Sequence, residues 1–467
     1  MNLIEADRKV VNLILNCHEN LKKFPLMKKT AVLLLVILTL PCMIIYGQEK
    51  EKEKKKKGWS PGFFPAFGYD SNTGTKYGGI LKLYDYGDGE SYPRYDQSIH
   101  FEWSRTTKGS GVNQLIYDTR KIIPGIRIMA EASYLSEKVL DFYGFNGYNA
   151  YYNPGFAAKA DPLYRSPVFY RMERGMIKLK LEFIGKLKGD NLKWFGGYEY
   201  LNNKLDTVDI NNLNKGRNPD NYLPAIGGGL YGDFIRWGLI PQDQANGGQT
   251  GVFKIGAKYD TRDNEPNPMT GLWTEAQLLF SPGFLSDGYT YTRFAFTHRQ
   301  YFSLVPKKVN FAYRISYQAK LTGEMPFYML ALVYNSAPQV TLSGLGGGKT
   351  MRGILRNRVV GEDFVYANAE IRWKVFRAII LNQNFYAALA GFADAGMITG
   401  KYKLPQPNAT EGVEWLELGG KEKPHIGYGA GAHFAVNDNF VITMDYGWAD
   451  DPRDGKRGTY IGLGFLF

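Results

Sequence analysis

The chain is poor in the residues that build disulfides and metal centres. Its 467 residues include only two cysteines, Cys17 and Cys42, and both lie in or before a segment that we expect to be cleaved off. The mature protein would then have no thiol, which excludes disulfide bonds and cysteine metal ligands. The five histidines show no metal-ligand spacing, and no pairing of a nucleophile with a base stands out. We therefore predict a protein that is not an enzyme and that holds no metal and no cofactor.

Long apolar runs are also scarce. The mean hydropathy is −0.31, which excludes a bundle of membrane-spanning helices, because each such helix needs about 20 mostly apolar residues. The abundant residues are instead glycine and the aromatics, with 54 glycines, 33 tyrosines, 28 phenylalanines and 8 tryptophans. This composition favours a protein with many turns and many amphipathic aromatic side chains, as in a large antiparallel barrel, which stays one domain at this length.

The N-terminal region has the features of a secretory signal. Residues 27–47 begin with Met27 and two lysines, continue with an apolar run over 31–45, and end on a small residue. This pattern predicts a signal peptide that is cleaved before Gln48. A membrane anchor and a lipoprotein signal are the alternatives, but the run is short for a spanning helix and contains a proline. Residues 1–26 would then be a non-native or discarded extension.

A charged periplasmic tether is predicted over 48–57, which reads QEKEKEKKKK. We interpret it as a solvated spacer, with attraction to acidic lipid headgroups as the alternative. The formal net charge is +12, and the tether and residues 1–47 each contribute six basic against three acidic residues. Half of the excess charge therefore lies outside the body of the chain, so the sequence does not suggest a nucleic acid partner.

The body of the chain, 58–467, alternates short apolar or period-two runs with clusters of Gly, Asn, Asp and Pro, which predicts an all-β fold. Ser98–Arg105 and Met176–Phe183 are examples in which apolar residues alternate with polar or small ones. Strands with one face in lipid and the other in a wet lumen have this pattern, so we predict a transmembrane antiparallel β-barrel of about 16 strands. The predicted strands begin near residues 63, 76, 95, 112, 126, 168, 192, 251, 271, 289, 308, 363, 384, 425, 440 and 457.

The lengths of the predicted connections support this strand count. If the N-terminal end of the barrel is periplasmic, every connection from an odd to an even strand is extracellular. The four long connections, over 137–167, 203–250, 321–362 and 397–424, all fall on that side. The connections on the other side, such as 303–307, are short turns, as outer-membrane barrels require.

An arginine and two acids form the candidate site. The segment 345–354, LGGGKTMRGI, places Arg352 on a glycine-supported loop, and the next two strand-like runs carry Glu370 and Asp394. Two carboxylates that face one enclosed space can neutralise and hydrogen-bond a buried guanidinium. We therefore predict that the long loop folds into the lumen, where Glu370 and Asp394 anchor Arg352 and Gly353. The ion pairs would either pin the loop or take part in a gating cycle.

The two ends of the barrel define a predicted seam. The last strand, YIGLGFLF, would place Ile461, Leu463, Phe465 and Phe467 on one face and its glycines on the other.

Hydrogen bonding across this seam should be poor. Pro61 and Pro65 in the first strand cannot donate ladder hydrogen bonds, and Gly462 and Gly464 weaken the last strand. We therefore expect these residues, with Phe467, to form a seam that can open.

Taken together, these motifs resemble the BamA and TamA outer-membrane assembly barrels, also called bacterial surface antigens. The sequence GGGKTMRGI resembles the family's loop motif, whose VRGF-like tip folds back into the barrel, and FADAG around Asp394 resembles its FxDxG-like motif. Residues 259–264, with Pro268 and Gly271, resemble a periplasmic turn of the family, and 324–328 resemble the start of the long loop. The closing aromatic resembles the signal by which outer-membrane barrels are delivered and assembled.

The resemblance implies an integral protein of the bacterial outer membrane that assists the insertion or translocation of outer-membrane polypeptides through the seam. Its contacts would be outer-membrane lipid, unfolded polypeptides and a separate periplasmic or membrane partner. Two features depart from the family: Met351 and Ile354 replace the usual Val and aromatic, and only the tether precedes the barrel where relatives carry POTRA domains. We therefore expect a barrel-only branch. The alternative is a passive pore or a structural, oligomeric barrel without assembly activity.

Overall fold

The structure is a computed structural model that describes residues 57–90, 95–336, 342–380, 383–408, 413, 418–436 and 440–467. The predicted extension over 1–26, the signal peptide over 27–47 and nearly all of the tether lie outside the described residues. Within the described ranges, no helix is both long enough and apolar enough to cross a bilayer.

Most of the described chain is antiparallel β-strand. The strands are β1 (Trp59–Pro65), β2 (Gly68–Asp70), β3 (Gly74–Asp85), β4 (Gln97–Thr106), β5 (Ser110–Ile123), β6 (Ile126–Asp141), β7 (Arg171–Lys188), β8 (Leu192–Thr207), β9 (Gly247–Asp260), β10 (Gly271–Ser281), β11 (Tyr291–Val305), β12 (Val309–Gly323), β13 (Asp363–Ile380), β14 (Gln383–Gly400), β15 (His425–Val436), β16 (Phe440–Ala449) and β17 (Arg457–Leu463). Helical structure lies in the connections, as α1 (Ile210–Asn214), α2 (Gly229–Arg236) and short 3-10 turns at Gly147–Asn149, Pro154–Ala157, Pro219–Asn221, Gly283–Leu285, Phe327–Met329 and Pro452–Asp454.

The strands form one closed ring. Consecutive strands from β2 to β17 pair antiparallel, β1 pairs antiparallel with β3, and β17 pairs with β2 to complete the ring. Both β1 and β2 pair with β3, so these two short strands are halves of a single first strand position, and the barrel has sixteen positions in all. The prediction of an antiparallel barrel of about 16 strands is therefore confirmed.

The faces of the strands are reversed relative to a soluble protein. In β7, the exposed outer face carries Ile177, Leu179 and Leu181, whereas the buried inner face carries Lys178 and Glu182. Alternation of this kind suits a strand whose apolar side chains contact lipid and whose charged side chains pair inside. The inward-facing charge of Lys178 in β7 is paired, because its Nζ lies 3.2 Å from a carboxylate oxygen of Glu131 on β6.

The long connections all leave the barrel at one end. They follow β6, β8, β12 and β14, and the connections at the opposite end, such as those after β5, β7 and β11, are only a few residues long. Residues from all four long connections, including α2 after β8, pack with strand residues at this end into one large apolar cluster, which includes Phe145, Tyr231, Phe327 and Tyr402. This cluster covers the lumen at the long-loop end.

The connection from β12 to β13 enters the lumen, as predicted. Leu345, Met351 and Val359 of this loop are fully buried, and they pack against Phe364 and Ile398 on the barrel wall. The loop is therefore held by apolar contacts as well as by the charged groups described below.

Candidate functional site

The inward loop is folded on itself so that its tip presents an arginine. Leu345 and Val359 form a two-way backbone bridge at the base of the tip. Within the tip, the Gly346 amide donates to Thr350 Oγ1 at 2.8 Å, and the Gly347 amide donates to the Ile354 carbonyl at 2.9 Å. Both glycines have positive φ angles, 113° and 78°, which other residues rarely adopt. The glycines that the sequence analysis noted therefore shape the tip.

Arg352 contacts both predicted carboxylates. Its Nη1 donates to Glu370 Oε2 at 2.7 Å, its Nε to Asp394 Oδ2 at 2.9 Å, and its Nη2 to Asp394 Oδ1 at 3.1 Å. The Arg352 backbone amide also donates to Asp394 Oδ2 at 2.9 Å. Arg352 is fully buried, and a charged group is stable in such a place only when opposite charges and hydrogen bonds surround it.

The sequence analysis missed two further groups around this guanidinium. Asp445 on β16 accepts a hydrogen bond from Arg352 Nη1 at 3.1 Å and also contacts His433 Nε2 at 3.0 Å. The ring of Phe392 on β14 lies under the guanidinium, with its centroid 3.5 Å from the central carbon. Three acids on three different strands, and one aromatic face, therefore surround a single cation.

A glycine surface on β15 and β16 makes room for the loop tip. Gly427 and Gly447 face the lumen, and a Cβ atom at either position would clash with the backbone of Arg352 or Gly353. Gly431 is similarly close to the Asp445 carboxylate. Because side chains are absent here, Asp445 can reach Arg352 past β15. The alternating glycines in HIGYGAGAH were the available sequence signal for this surface.

The loop tip also lies directly behind the seam. The Gly353 amide donates to the hydroxyl of Tyr460 on β17 at 3.1 Å. Gly353 has a φ angle of 90°, and a Cβ atom there would clash with the Trp448 carbonyl. On the other side of the seam, a Cβ at Gly348 would lie 3.1 Å from the Asp70 carboxylate. The same short loop therefore touches the three-acid cluster and both strands of the seam.

Few backbone contacts join the two strands of the seam. β17 pairs with β16 along its whole length, but it pairs with β2 only at Tyr460 and Ile461. Bonds between Ser71 and Thr459 extend this contact slightly, with the Ser71 amide donating to the Thr459 carbonyl at 3.1 Å. Within the described part of the chain, β1 pairs with β3 alone.

Pro61 and Pro65 both lie in β1, in register with Leu83 and Gly79 of β3. The first strand therefore carries its prolines in the half that β17 does not pair with. Gly462 lies within β17, where it is in register with Thr443 of β16.

The predicted position of the last aromatics is wrong. β17 ends at Leu463, and Gly464, with a φ angle of 80°, turns the chain away from the strand. Phe465 and Phe467 do not continue the lipid-facing row of Ile461 and Leu463. They lie inside the barrel, where Phe467 packs against Tyr301 and Ala312.

Two lumenal arginines account for this inward position. Arg372 lies 3.8 Å from the Phe465 ring centroid and donates from Nη2 to the backbone oxygen of Phe467 at 3.2 Å. Arg314 donates to the Leu466 carbonyl at 3.4 Å, and its central carbon lies 5.2 Å from the Phe467 ring centroid. Cation–π contacts and hydrogen bonds from charged donors can hold an aromatic segment inside a polar lumen. Phe467 is therefore not a seam residue in this structure.

A second polar cluster, also unforeseen, joins the long loops to one another. The His425 ring stacks on Tyr148 with a centroid separation of 3.9 Å, and His425 Nδ1 lies 2.7 Å from Asp454 Oδ1. Arg358 of the inward loop donates to the Gly147 carbonyl at 2.9 Å. Burial and the hydrogen bond to Asp454 raise the pKa of the Tyr148 phenol, and the hydroxyl donates to Asp454 Oδ2. The cluster ties the loop after β6 to the inward loop and to the ends of β15 and β16.

A closed barrel of sixteen strand positions, an inward loop with a buried arginine and a short seam define a class of membrane barrel. The model of the Omp85 superfamily domain matches residues 145–467. The chain belongs to the Omp85 superfamily, and it is an integral outer-membrane protein. No curated protein matches the chain significantly.

Two solved structures have a similar fold. BamA from Haemophilus ducreyi lacking POTRA domains 1–3 aligns over 88% of this chain and 71% of its own, with a TM-score of 0.51 and 16% identity. CdiB from Escherichia coli aligns over 88% of this chain but only 63% of its own, with a TM-score of 0.53 and 10% identity. At these identities the likeness concerns the fold alone.

Proposed function

We propose that this protein assists the insertion or translocation of outer-membrane polypeptides through the seam between its first and last strands. One observation carries the proposal: β17 pairs with β2 at only two positions, although it pairs with β16 along its entire length. Opening this seam breaks fewer hydrogen bonds than opening a fully paired strand interface, because every ladder hydrogen bond between two strands must break before they can separate. The proposed role requires no catalytic group.

The free edge of β1 is the proposed contact for a passing polypeptide. An unpaired strand edge presents backbone donors and acceptors to any extended chain that approaches it. β1 offers such an edge over Trp59–Pro65, and its outer face is apolar, with Trp59 and Phe63 exposed. Pro61 and Pro65 lack amide donors, so an added strand would be held weakly enough to leave.

The inward loop is the proposed anchor of the lumen side. Arg352 binds carboxylates on three strands, and its neighbour Gly353 bonds to the seam residue Tyr460. Since the tip touches both the rigid wall and the seam, it sets the distance between them. We propose that these ion pairs pin the loop, and that the seam moves relative to it. Unfolded outer-membrane polypeptides, a separate partner and outer-membrane lipid are the proposed contacts.

A lock across the seam tests the proposal. The sequence has no cysteine after Cys42, so the pair Tyr69→Cys and Ile461→Cys, which face each other in the ladder, can be oxidised without competition. We expect the locked barrel to lose assembly activity in cells and to regain it on reduction. The control pair, Trp373→Cys and Leu389→Cys, joins β13 to β14 and should leave activity unchanged. Normal envelope assembly with a fully cross-linked seam would refute the proposal.

A passive pore is the second candidate, and conductance separates it from the first. The inward loop packs against the inner wall of the barrel, and the apolar cluster lies at the long-loop end, which supports a plugged barrel. In planar bilayers we expect the purified protein to conduct little, and Arg352→Ala to conduct more because the loop is released. A large, steady conductance that Arg352→Ala does not change would favour the pore.

A further inference from the structure

One carboxylate serves both the loop tip and the C-terminal segment. Glu370 Oε2 accepts from Arg352 of the loop at 2.7 Å, and Glu370 Oε1 accepts from Arg372 Nε at 2.6 Å. Arg372 in turn holds the Phe467 backbone oxygen and the Phe465 ring. Loop and segment are therefore joined by a continuous chain of contacts through the buried side chains of Arg352, Glu370 and Arg372.

A second route joins the same two elements. The Thr350 carbonyl of the loop tip accepts from Asn368 Nδ2 at 2.7 Å, and Asn368 Oδ1 accepts from Arg314 Nε at 2.9 Å. Arg314 then donates to the Leu466 carbonyl. The seated loop thus orients Asn368, which orients the arginine that grips the C-terminal segment.

The C-terminal segment can also be placed as a strand that pairs with β1. Its sequence alternates as a strand, and the ladder between β17 and β2 pairs Tyr460 with Asp70 and Ile461 with Tyr69. Continuing that register beyond Gly464 would set Phe467 opposite Phe63, on the free edge of β1. The aromatics would then join the lipid-facing row that the alternation predicts.

We propose that Arg314 and Arg372 are positioning residues that hold the segment 464–467 in the lumen while the loop tip is seated, and that unseating the loop lets this segment pair with β1. The inference deepens the proposed function and rests on it for its biological purpose, because a segment paired with β1 covers the edge that a passing polypeptide needs. The inward position leaves the edge free, and the paired position closes the seam.

Two cysteine pairs measure the two positions. Phe467→Cys with Ala312→Cys reports the inward position, because these residues are in contact, and Phe467→Cys with Phe63→Cys reports the paired position. In membranes we expect mainly the first cross-link in the parent barrel. Arg372→Ala should raise the ratio of the second cross-link to the first by roughly tenfold, the factor that corresponds to one lost charge-assisted hydrogen bond. Arg352→Ala should raise it in the same direction although Arg352 does not touch the segment.

The control is Arg377→Ala. Arg377 lies on the same strand as Arg372 but bonds to the Lys307 carbonyl at the short-turn end, so the ratio should not change. If the Phe63 pair never forms in any variant, the segment has one position and the inference fails. If Arg372→Ala shifts the ratio and Arg352→Ala does not, the loop is not coupled to the segment and the inference also fails. Both measurements are made without assembly activity, so loss of the proposed function alone would leave them intact.

Discussion

The wall from β13 to β16 and the seam between β2 and β17 belong to the same ring, yet they are held together in different ways. On the wall, β13 pairs with β14 from Asp363 to Ile380, and three acids converge on Arg352 inside it. At the seam, two ladder positions and one Ser–Thr contact join the strands. The loop tip touches both, so it links the densely bonded wall to the sparsely bonded seam.

Removing the Arg352 guanidinium should have the largest effect, because it is the group that ties the wall to the loop tip. Arg352→Ala leaves three carboxylates facing one another without their main partner, and breaking a buried ion pair costs about 3–5 kcal/mol. We expect a loss of this size in the free energy of unfolding, measured by urea denaturation of the barrel in liposomes. The matched control Arg377→Ala removes an exposed arginine from β13, and it should lower the free energy of unfolding far less.

Arg352→Lys sharpens the same prediction. A lysine keeps the positive charge but cannot donate in a fork to Asp394 while also reaching Glu370. We expect an intermediate loss of stability. Full stability in Arg352→Lys would mean that net charge, and not the geometry of the guanidinium, holds the loop tip.

The next largest loss of stability is expected from substitutions in the glycine surface on β15 and β16. Gly447→Ala places a methyl group against the backbone of the loop tip, and overpacking of this kind costs about 1–3 kcal/mol. We expect lower stability by urea denaturation and a more protease-sensitive loop. Gly391→Ala is the control, because its Cβ would meet only the Ile371 side chain at 3.7 Å, an ordinary contact. Equal losses in the two variants would show that strand glycines matter here for backbone reasons alone.

The acids can be ranked against one another. Asp394 accepts three hydrogen bonds from Arg352, including one from the backbone amide, whereas Asp445 accepts one. Because bonds to charged groups contribute about 1.5–3 kcal/mol each, Asp394→Asn should destabilise the barrel more than Asp445→Asn does. Urea denaturation of the two variants under identical conditions checks the order, and the reverse order would contradict the assignment of Asp394 as the main anchor.

These two acids also show what the sequence could and could not predict. Asp394 was predicted because it follows the arginine motif in an alternating strand and lies within FADAG. Asp445 lies in an equally regular strand, but its partner is 93 residues away, and only the glycines of β15 between them bring it into reach. Local alternation predicts which face a residue takes, whereas the contact depends on the missing side chains of a neighbouring strand.

The prediction for the C-terminal segment was wrong for a related reason. Alternation in YIGLGFLF correctly predicted a strand as far as Leu463, and it encodes the paired position equally well for the four residues that follow. The inward turn depends on Arg314 and Arg372, which lie on β12 and β13, far away in sequence. No local pattern around Phe467 reports those two arginines, so the sequence could predict the strand that the segment can form but not the place where it lies.

The smallest expected effect concerns the residue where the segment turns. Gly464 has a φ angle of 80°, and an alanine in this left-handed region is less stable than glycine by about 1 kcal/mol. Gly464→Ala should therefore favour an extended backbone and raise the cross-link between Phe467→Cys and Phe63→Cys by several-fold. Gly462→Ala is the control, since its Cβ would meet only Thr443 Oγ1 at 3.9 Å and its strand is already extended. An unchanged cross-link in Gly464→Ala, with Arg372→Ala still effective, would mean that the arginines alone set the position of the segment and that the turn follows them passively.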